Sequence, residues 1–257
     1  MLTAPIVVKV GGNEVDDARW VAALAGTLAR HAAPVVLVHG GGKEVTEVQR
    51  TLGAEPLWVG GLRVTTPQAL RAACMVLSGV VNKRLVAALI GAGRPALGLS
   101  GEDGPLLLAR PALEGRLGRT GEVTEVRPAV LRALLAAGLL PVVSPLSRGP
   151  DGGPLNVNAD EAAAAIAVGL GAERFLMVSN VAGVLRDGMP LETVETGAVE
   201  ALIAEGVADG GMAPKLRAAA RAAAGGVMEV QIGDLSLLTG ASGGTRVTAR
   251  PPLAAIA

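Results

Sequence analysis

Short apolar runs alternate along the chain with longer segments of helical periodicity, and this alternation restricts the fold more than any other feature. The runs are rich in Val, Leu and Ile and have the length of buried strands. They occupy residues 5–10, 34–40, 95–101, 139–146, 174–181 and 227–233. The predicted helices are 16–30, 42–52, two that begin after Thr66 and Asn158, 196–206 and 211–224. Strands that alternate with helices indicate an α/β fold with a mostly parallel sheet.

Two of the predicted helices begin at recognisable capping residues. Thr66 suits an N-cap and Pro67 suits the first helical position. Asn158, followed three residues later by Glu161, gives the pattern of a capping box. Residues 102–128 are polar and rich in Gly and Arg, and we expect a β-hairpin insertion beside the sheet, whereas 147–160 is predicted as a Pro/Gly-rich loop. No linker is long enough to separate independent domains, although a division near residue 170 fits the pattern.

Three glycine clusters follow predicted strands, namely KVGGN at 9–13, HGGGK at 39–43 and LSGEDG at 99–104. Ligands of open α/β sheets bind at the carboxyl ends of the strands, and glycine lets backbone N–H groups approach an anion closely. The clusters therefore predict a shared anion site. The GxxxxGK[ST] pattern is absent, and GAGRPALG at 91–98 precedes a strand instead of following one. These observations exclude a P-loop NTPase and an ordinary NAD enzyme.

Composition narrows the range of partners. The 257 residues include 23 basic and 23 acidic side chains, so no global field attracts nucleic acid or an anionic membrane. Aromatic residues make up 1%, which excludes base-stacking platforms, and one cysteine with two histidines excludes a Cys- or His-rich metal site. We expect no apolar run long enough to span a bilayer and no signal segment. The expectation is a cytoplasmic protein without membrane or nucleic-acid partners.

Two lysines stand close to glycines at places where an anion would bind. Lys9 ends the first predicted strand shortly before Gly11 and Gly12, and Lys215 lies in DGGMAPK at 209–215, at the start of a late helix. Phosphoryl transfer needs positive charge on the transferring oxygens and little covalent help. A pair of lysines suits that task, whereas each lysine alone is more typical of a solvated surface.

Ten segments of the chain follow the order of one known family. They are KVGG (9–12), LVHGGG (37–42), GLRVTTP (61–67), VNKRLV (81–86), GLSGEDG (98–104), LLPVVSPL (139–146), NVNADEAA (156–163), SNVAGVL (179–185), DGGMAPK (209–215) and GGTRV (243–247). The chain resembles the amino acid kinase superfamily and, within it, the acetylglutamate kinase family. The resemblance implies a three-layer αβα sandwich with a mostly parallel central sheet. It also implies an N-terminal lobe, 1–170, for acceptor binding and dimerisation, and a C-terminal lobe, 171–257, for nucleotide binding.

The resemblance implies a role for each matching position. Lys9 and Lys215 would stabilise the transition state from opposite sides of the transferring phosphoryl group, and Asp160 would orient both lysines. The acceptor would be bound by Gly40, Gly41, Arg63 and Asn156, the phosphate by Gly11 and Gly12, and the nucleotide by Asn180, Val181, Gly183, Val184, Leu185 and Asp209. His39 is expected to be structural.

The implied reaction is the second step of arginine biosynthesis. ATP would phosphorylate the γ-carboxylate of N-acetyl-L-glutamate and give N-acetyl-L-glutamyl 5-phosphate. A carboxylate is already anionic near pH 7, so no general base is required. Mg²⁺ would arrive with the nucleotide and have few direct protein ligands.

Asn180 departs from the family pattern, because many of these kinases have Asp at this position. A related kinase of lysine biosynthesis, which phosphorylates an α-aminoadipate side chain on a small acidic carrier protein, also tends to have Asn there. NVNAD and GLRVT favour acetylglutamate, but a basic rim of Arg110, Arg116 and Arg119 keeps the carrier-linked acceptor open. A non-catalytic binding module is a further alternative, and it predicts loss of the charged lysine pair.

The start of the first strand bears on assembly and regulation. Members of the family that arginine inhibits carry an extra N-terminal helix that links dimers into hexamers. Here the first strand is predicted to start near residue 5, which leaves no room for that helix. The expectation is a homodimer without arginine feedback.

Overall fold

An eight-stranded sheet forms the centre of the molecule. The structure is a computed structural model and describes residues 4–240 and 243–249. The strands are β1 (Ile6–Val10), β2 (Val35–His39), β3 (Trp58–Val59), β4 (Leu62–Arg63), β5 (Ala96–Ser100), β6 (Leu107–Pro111), β7 (Thr120–Val126), β8 (Leu140–Ser144), β9 (Leu146–Arg148), β10 (Pro154–Val157), β11 (Arg174–Val178), β12 (Leu185–Arg186), β13 (Met189–Pro190), β14 (Thr193–Glu195), β15 (Glu229–Gly233) and β16 (Thr245–Thr248). The helices are α1 (Ala18–Arg30), α2 (Gly42–Thr51), α3 (Pro67–Ala73), α4 (Asn82–Gly91), α5 (Ala129–Ala136), α6 (Ala159–Leu170), α7 (Val199–Ala204) and α8 (Met212–Ala224).

The order of the strands in the main sheet is β14-β16-β15-β11-β1-β2-β8-β5. Every neighbouring pair is parallel except β15 and β16, which are antiparallel. All six apolar runs that were predicted as strands lie in this sheet. The prediction of a mostly parallel central sheet is therefore confirmed.

Helices cover both faces of the sheet, because side chains along each strand alternate between the two faces. Val7 and Val36 pack into a core that contains the inner faces of α5, α6 and α8. Val8 and Leu37, one residue further along their strands, pack into a second core against α1 and the helix that follows Thr66. The predicted three-layer αβα sandwich is confirmed.

The segment after Thr66 is one continuous helix from α3 through a π-helical stretch, Cys74–Val81, to α4. The side chain of Thr66 accepts from the backbone N–H of Ala69, as expected for an N-cap. By length and composition alone this helix of 25 residues could cross a membrane, a test that core helices of soluble proteins also pass. The expectation that no apolar run has this length is wrong here, although Leu77 and Leu85 lie in the second core.

A small closed barrel of β6, β7, β9 and β10 stands beside the main sheet. Strands β6 and β7 pair antiparallel, so the predicted hairpin within 102–128 is confirmed. Residues 147–160 were predicted as a loop, but β10 pairs there with β9 and β7. These pairings join distant parts of the chain, which local sequence patterns do not indicate.

Candidate functional site

Two cavities open at the carboxyl ends of β1, β2 and β11 and meet at shared residues. The larger cavity has a volume of about 790 Å³, and the smaller has a volume of about 220 Å³. Both are lined by Lys9, Gly12, Gly42, Trp58 and Asp160. A ligand in one cavity therefore lies next to a ligand in the other, across the end of β1.

Lys9 forms a buried ion pair at this junction. Alternation along β1 points Lys9 to the same face as Val7, toward α6. The Nζ atom of Lys9 is 2.7 Å from a carboxylate oxygen of Asp160, in the first turn of α6. Asn158 precedes α6, and its side chain accepts from the backbone N–H groups of Asp160 and Glu161, as predicted for an N-cap. The cap thus fixes the carboxylate that holds Lys9.

Lys215 reaches the larger cavity from the first turn of α8. Burial lowers the pKa of its ammonium, and the positive charge of Lys9 lowers the pKa further. The carboxylates of Asp160 and Glu14 act in the opposite direction and raise it. The structure thus brings the two predicted catalytic lysines into one electrostatic group with Asp160.

The first two glycine clusters lie against each other. A Cβ atom on Gly12 would lie 2.8 Å from the backbone nitrogen of Gly41 and would overlap that of Gly42, so the two loops can approach this closely only with glycine at position 12. Gly11 and Gly12 line the larger cavity, while Gly40 and Gly41 line the smaller one together with Gly12. The glycines predicted to hold phosphate and acceptor are therefore neighbours.

The third glycine cluster, residues 99–104, is not part of either cavity. It follows β5, which is the edge strand of the main sheet and is separated from β2 by β8. Its turn is held instead by Asp103, which accepts from the backbone N–H of Ser100. The prediction of an anion site shared by three clusters is wrong for this one.

Arg63 lies at the wall of the smaller cavity, and its guanidinium is already engaged. Nη1 donates to the side-chain oxygen of Gln49 at 2.8 Å, and Nη2 donates to the hydroxyl of Thr46 at 2.8 Å and to the carbonyl of Gly42 at 3.3 Å. The indole ring of Trp58 covers the guanidinium, with a distance of 4.4 Å from the ring centroid to Cζ. Arg63 thus keeps its position by contacts within the protein.

Asn156 lines the same cavity at the end of the small barrel. Its side-chain nitrogen donates to the hydroxyl of Thr65, which is 2.9 Å from the hydroxyl of Thr120. Thr120 in turn donates to the backbone carbonyl of Arg63. The predicted acceptor residues Arg63 and Asn156 are therefore joined by two buried threonines.

The residues predicted to bind the nucleotide lie mostly around the larger cavity. Its lining includes Asn180, Val181, Gly183, Leu185 and Asp209. Val184 differs, because its side chain is fully buried in the core and is not part of the lining. The backbone N–H of Val184 donates to the hydroxyl of Thr245.

Arg84 connects the segments that follow the two glycine loops. Its guanidinium is 2.6 Å from Glu44, in the first turn of α2, and it also donates to the carbonyl of Val15.

His39 contacts the second glycine loop, since its Nδ1 is 2.9 Å from the carbonyl of Gly40. Burial lowers the pKa of His39 to about 4, so the imidazole is neutral. His39 thus has the structural position that was expected.

Many lining residues were not predicted as site residues, and Glu14, Trp58, Thr120 and Ser179 are the four whose contacts matter most for the site. Glu14 follows the first glycine pair, and its carboxylate accepts from the backbone N–H of Asn180 at 3.3 Å. Ser179 immediately precedes the predicted nucleotide segment. Their position next to recognised motifs is the only sequence signal, and it does not separate a ligand contact from a turn residue.

The predicted basic rim is largely neutralised. Arg110 pairs with Glu122 at 3.2 Å, and Arg119 pairs with Asp151 at 2.6 Å. The bond from Arg119 lowers the pKa of Asp151 to about 2, so this carboxylate is ionised at neutral pH. Most of the charge that would attract an acidic carrier is thus balanced on the protein itself.

Among residues 4–240 and 243–249, no group of three His, Cys, Asp or Glu side chains could hold a metal ion. Magnesium that is coordinated by phosphate oxygens and water needs no such group. Besides Asp160, which is paired with Lys9, the carboxylates that line the larger cavity are Glu14, Glu47 and Asp209.

The chain is similar to known proteins both in sequence and in fold. A family profile described as the amino acid kinase family matches residues 4–234. An acetylglutamate kinase of Roseiflexus sp. (strain RS-1) is 50% identical over 251 residues, which is 96% of this chain and 95% of that protein. An acetylglutamate kinase of Geobacillus kaustophilus (strain HTA426) is 44% identical over 228 residues, which is 88% of each chain. Among solved structures, N-acetylglutamate synthase from Neisseria gonorrhoeae, in complex with coenzyme A and N-acetyl-glutamate, has a TM-score of 0.83 at 26% identity, covering 98% of this chain and 61% of that one.

Proposed function

Because this chain belongs to the amino acid kinase family, we propose that it transfers the γ-phosphoryl group of ATP to the γ-carboxylate of N-acetyl-L-glutamate. The product is N-acetyl-L-glutamyl 5-phosphate, and the reaction is the second step of arginine biosynthesis. The observation that carries the proposal is the junction of the two cavities at Lys9, with Arg63 in one and Lys215 in the other. We place the reaction in the cytoplasm, where ATP is available to biosynthetic enzymes.

The chemistry is one displacement at phosphorus. A carboxylate oxygen of the acceptor attacks the γ-phosphorus, the bond from phosphorus to the bridging oxygen breaks, and ADP leaves with the electron pair. The attacking carboxylate is ionised near pH 7, so no proton has to be removed. The protein therefore has to align the two substrates and stabilise the charge on the transferring oxygens.

The acceptor occupies the smaller cavity in this proposal. Arg63 offers the planar pair of donors that fits a carboxylate, and Asn156 offers an amide to the acetylated amino group. Val45, Leu62 and Leu77 line the same cavity and form an apolar wall suited to the acetyl methyl group. A free amino group would be charged and would lose its hydration against this wall.

The nucleotide occupies the larger cavity, where Lys9 and Lys215 face the transferring group. Backbone N–H groups of Gly11 and Gly12 complete the donors for the phosphates. The carboxylate of Asp160 lies 2.7 Å from Nζ of Lys9 and keeps that ammonium in place. The same carboxylate raises the pKa of Lys215 and so favours the charged form of the second lysine. When magnesium is bound with ATP, it supplies further positive charge on the phosphate oxygens.

The two halves of the chain have different tasks in this proposal. Residues 1–170 bind the acceptor and form the contact of a homodimer, and residues 171–257 bind the nucleotide. Support for the dimer comes from apolar side chains that are exposed in the single chain, namely Met75 and Val80 on the long helix and Leu97 on the edge strand β5. A second copy would cover this surface, which light scattering of the purified protein can test.

The proposed reaction is tested by trapping the acyl phosphate with hydroxylamine. Purified protein, ATP and magnesium are incubated with N-acetyl-L-glutamate, L-glutamate or N-acetyl-α-aminoadipate, and the hydroxamate is measured. We expect turnover with N-acetyl-L-glutamate and at most traces with the other two acids. The Lys9→Met, Lys215→Met double variant is the control for a contaminating kinase.

Each other outcome contradicts the proposal in a distinct way. Turnover with N-acetyl-α-aminoadipate alone would favour the carrier-linked acceptor of lysine biosynthesis. Absence of turnover with all three acids, combined with retained binding of nucleotide, would favour a non-catalytic binding module.

A further inference from the structure

The hydroxyl group of Ser179 is buried at the larger cavity without a hydrogen-bond partner. Ser179 follows the last residue of β11 and is 3% exposed. Its backbone N–H donates to the carbonyl of Gly233 at 2.8 Å, but its Oγ atom contacts no donor or acceptor. A buried hydroxyl without a partner costs free energy, and native proteins contain few of them. Next to a cavity, an atom of a bound ligand can supply the missing hydrogen-bond partner.

The direction of the Ser179 side chain follows from the alternation along β11. Phe175 and Met177 pack into the core between the sheet and helices α6 and α8. Ser179 lies two residues further on, and its side chain therefore points to the same face as theirs. Lys9 points to that face from β1, so the hydroxyl and the ammonium lie on one side of the sheet.

The register of the strands gives Ser179 its neighbours. Lys9 is paired with Met177 and Val10 with Val178, so continuing the ladder by one residue brings Gly11 beside Ser179. The backbone N–H of the next residue, Asn180, donates to the carboxylate of Glu14. The hydroxyl thus stands between a glycine loop and the segment predicted to bind the nucleotide.

Other unpartnered polar atoms of the described chain do not share this position. They are His31 Nδ1, Arg94 Nε, Ser147 Oγ, Asp160 Oδ1, Arg174 Nε and Thr248 Oγ1. Of these, only Asp160 lines either cavity of the site, and it is already paired with Lys9. Ser179 is therefore the one unpartnered hydroxyl in the described residues that a ligand in the larger cavity can reach.

We propose that the Ser179 hydroxyl donates a hydrogen bond to a phosphate oxygen of the bound nucleotide. This inference rests on the proposed function for the presence of a nucleotide in the larger cavity. A phosphate oxygen fits better than the adenine ring, because Gly11 and the lysine pair next to Ser179 provide donors and positive charge. A hydrogen bond from a hydroxyl to an ionised oxygen is among the stronger ones in proteins.

The proposal predicts opposite effects of one substitution on folding and on binding. Ser179→Ala removes a polar atom that has no partner in the ligand-free protein, so the ligand-free melting temperature should stay the same or rise. The same change removes a bond that exists only in the complex, so nucleotide affinity should fall. A side chain with a purely structural role would show the reverse pattern.

Ser147 provides a matched control. It is also a serine with a fully buried hydroxyl and no partner, but it lies in β9 of the small barrel and lines neither cavity of the site. Ser147→Ala should therefore match Ser179→Ala in its effect on the ligand-free protein. The two variants should differ in nucleotide binding alone.

The experiment measures ADP and β,γ-imido-ATP binding by calorimetry, together with thermal unfolding with and without each nucleotide. We expect Ser179→Ala to weaken nucleotide binding about tenfold and to reduce the nucleotide-induced rise in melting temperature. KM for N-acetyl-L-glutamate should stay unchanged. Ser147→Ala should bind both nucleotides like the unmodified protein, and Ser179→Cys, which keeps the size with a weaker donor, should be intermediate.

The outcomes separate this inference from the function on which it rests. If the unmodified protein binds nucleotide and Ser179→Ala binds it equally well, the inference is wrong and the function stands. A lower ligand-free melting temperature of Ser179→Ala with unchanged affinity would also overturn it. If the unmodified protein binds neither nucleotide, the proposed function fails first. Should Ser179→Ala not fold, Ser179→Cys carries the same comparison.

Discussion

The two cavities that meet at Lys9 differ in how their polar groups are satisfied before any ligand binds. In the smaller cavity, Arg63 already donates to Gln49 and Thr46, and Asn156 already donates to Thr65. In the larger cavity, the Ser179 hydroxyl has no partner, and among the described residues no carboxylate forms an ion pair with Lys215.

This difference determines how each ligand gains its binding free energy. An acceptor must replace hydrogen bonds that the smaller cavity already has. Its affinity therefore reflects the difference in free energy between the new bonds and the bonds they replace. A nucleotide satisfies groups that are unsatisfied without it. Substitutions of Arg63 or Asn156 should therefore disturb the free protein as well, whereas those of Ser179 or Lys215 should act mainly on the complex.

The strongest test of the comparison uses the two lysines. Lys9→Met and Lys215→Met should each lower kcat by about 100-fold or more, because each removes positive charge from the transferring oxygens. Lys9→Met also leaves the buried carboxylate of Asp160 without its partner, and should lower the free energy of unfolding by about 3 kcal/mol. Lys215→Met should not lower the free energy of unfolding, because burial lowers the pKa of that ammonium and disfavours its charged form in the fold.

Turnover assays and urea unfolding of both variants measure these effects. Lys9→Arg is a control that keeps the charge opposite Asp160. Equal loss of stability in Lys9→Met and Lys215→Met would contradict the proposed difference between groups that are paired and groups that are unpaired in the ligand-free protein.

The next effect concerns the stability of the acceptor side at low pH. The pKa of His39 is lowered to about 4 in the fold, so the unfolded chain binds its proton first as the pH falls below 6.5. Stability from the neutral imidazole is therefore complete above pH 6.5, is lost between 6.5 and 4, and changes no further below that. The shift corresponds to about 3 kcal/mol.

His39→Gln removes the titrating group and keeps side-chain atoms able to meet Asn82 and the carbonyl of Gly40. Unfolding free energies of both proteins are measured between pH 7 and pH 4. The advantage of the unmodified protein should shrink by about 3 kcal/mol across this range. A constant difference would show that His39 is not the group responsible.

A smaller effect is expected from Arg63→Lys. A lysine cannot reproduce the planar pair of donors or the contact with Trp58, so KM for N-acetyl-L-glutamate should rise about tenfold. The affinity for ADP should remain within twofold of the unmodified protein. Steady-state kinetics and calorimetry measure the two values, and the exposed Arg116→Lys is the matched control. A loss of ADP affinity as large as the rise in KM would contradict separate cavities.

The smallest effect is an optical one. The indole of Trp58 covers Arg63 at 4.4 Å, and the only other tryptophan of the chain is Trp20. If the acceptor draws the guanidinium into a new arrangement, Trp58 fluorescence should change more with N-acetyl-L-glutamate than with ADP. The signal should be lost in Trp58→Phe. An equal change with both ligands would remove the support for an acceptor-specific rearrangement.

Sequence patterns predicted the sheet and two neighbouring glycine clusters because both depend on local signals, whereas the other site residues were predicted from the resemblance to a known family. Apolar runs gave the strands, and the glycines after β1 and β2 lie together because these strands are neighbours in the sheet. Residues 99–104 have the same local pattern, but β5 lies at the edge of the sheet. Strand order depends on packing between distant segments, and no local pattern contains it.

The residues that were missed show a second limit. Trp58 belongs to no motif, and Ser179 is the first residue of the segment SNVAGVL, which does not mark it as a ligand contact. The importance of both side chains depends on what lies opposite them in space. Val184 shows the reverse case, since it belongs to a recognised segment but points into the core. The roles of the individual site residues stay predictions until ligands are bound.

The most direct test of the account is the structure of the protein with ADP, tetrafluoroaluminate and N-acetyl-L-glutamate. We predict that the fluoroaluminate plane lies at the junction of the two cavities, with Nζ of Lys9 and Lys215 both within hydrogen-bond distance of fluorine. The acceptor carboxylate should face it from the side of Arg63, and ADP from the side of Ser179. An acceptor bound outside the smaller cavity, or a fluoroaluminate that only one of the two lysines contacts, would contradict the account.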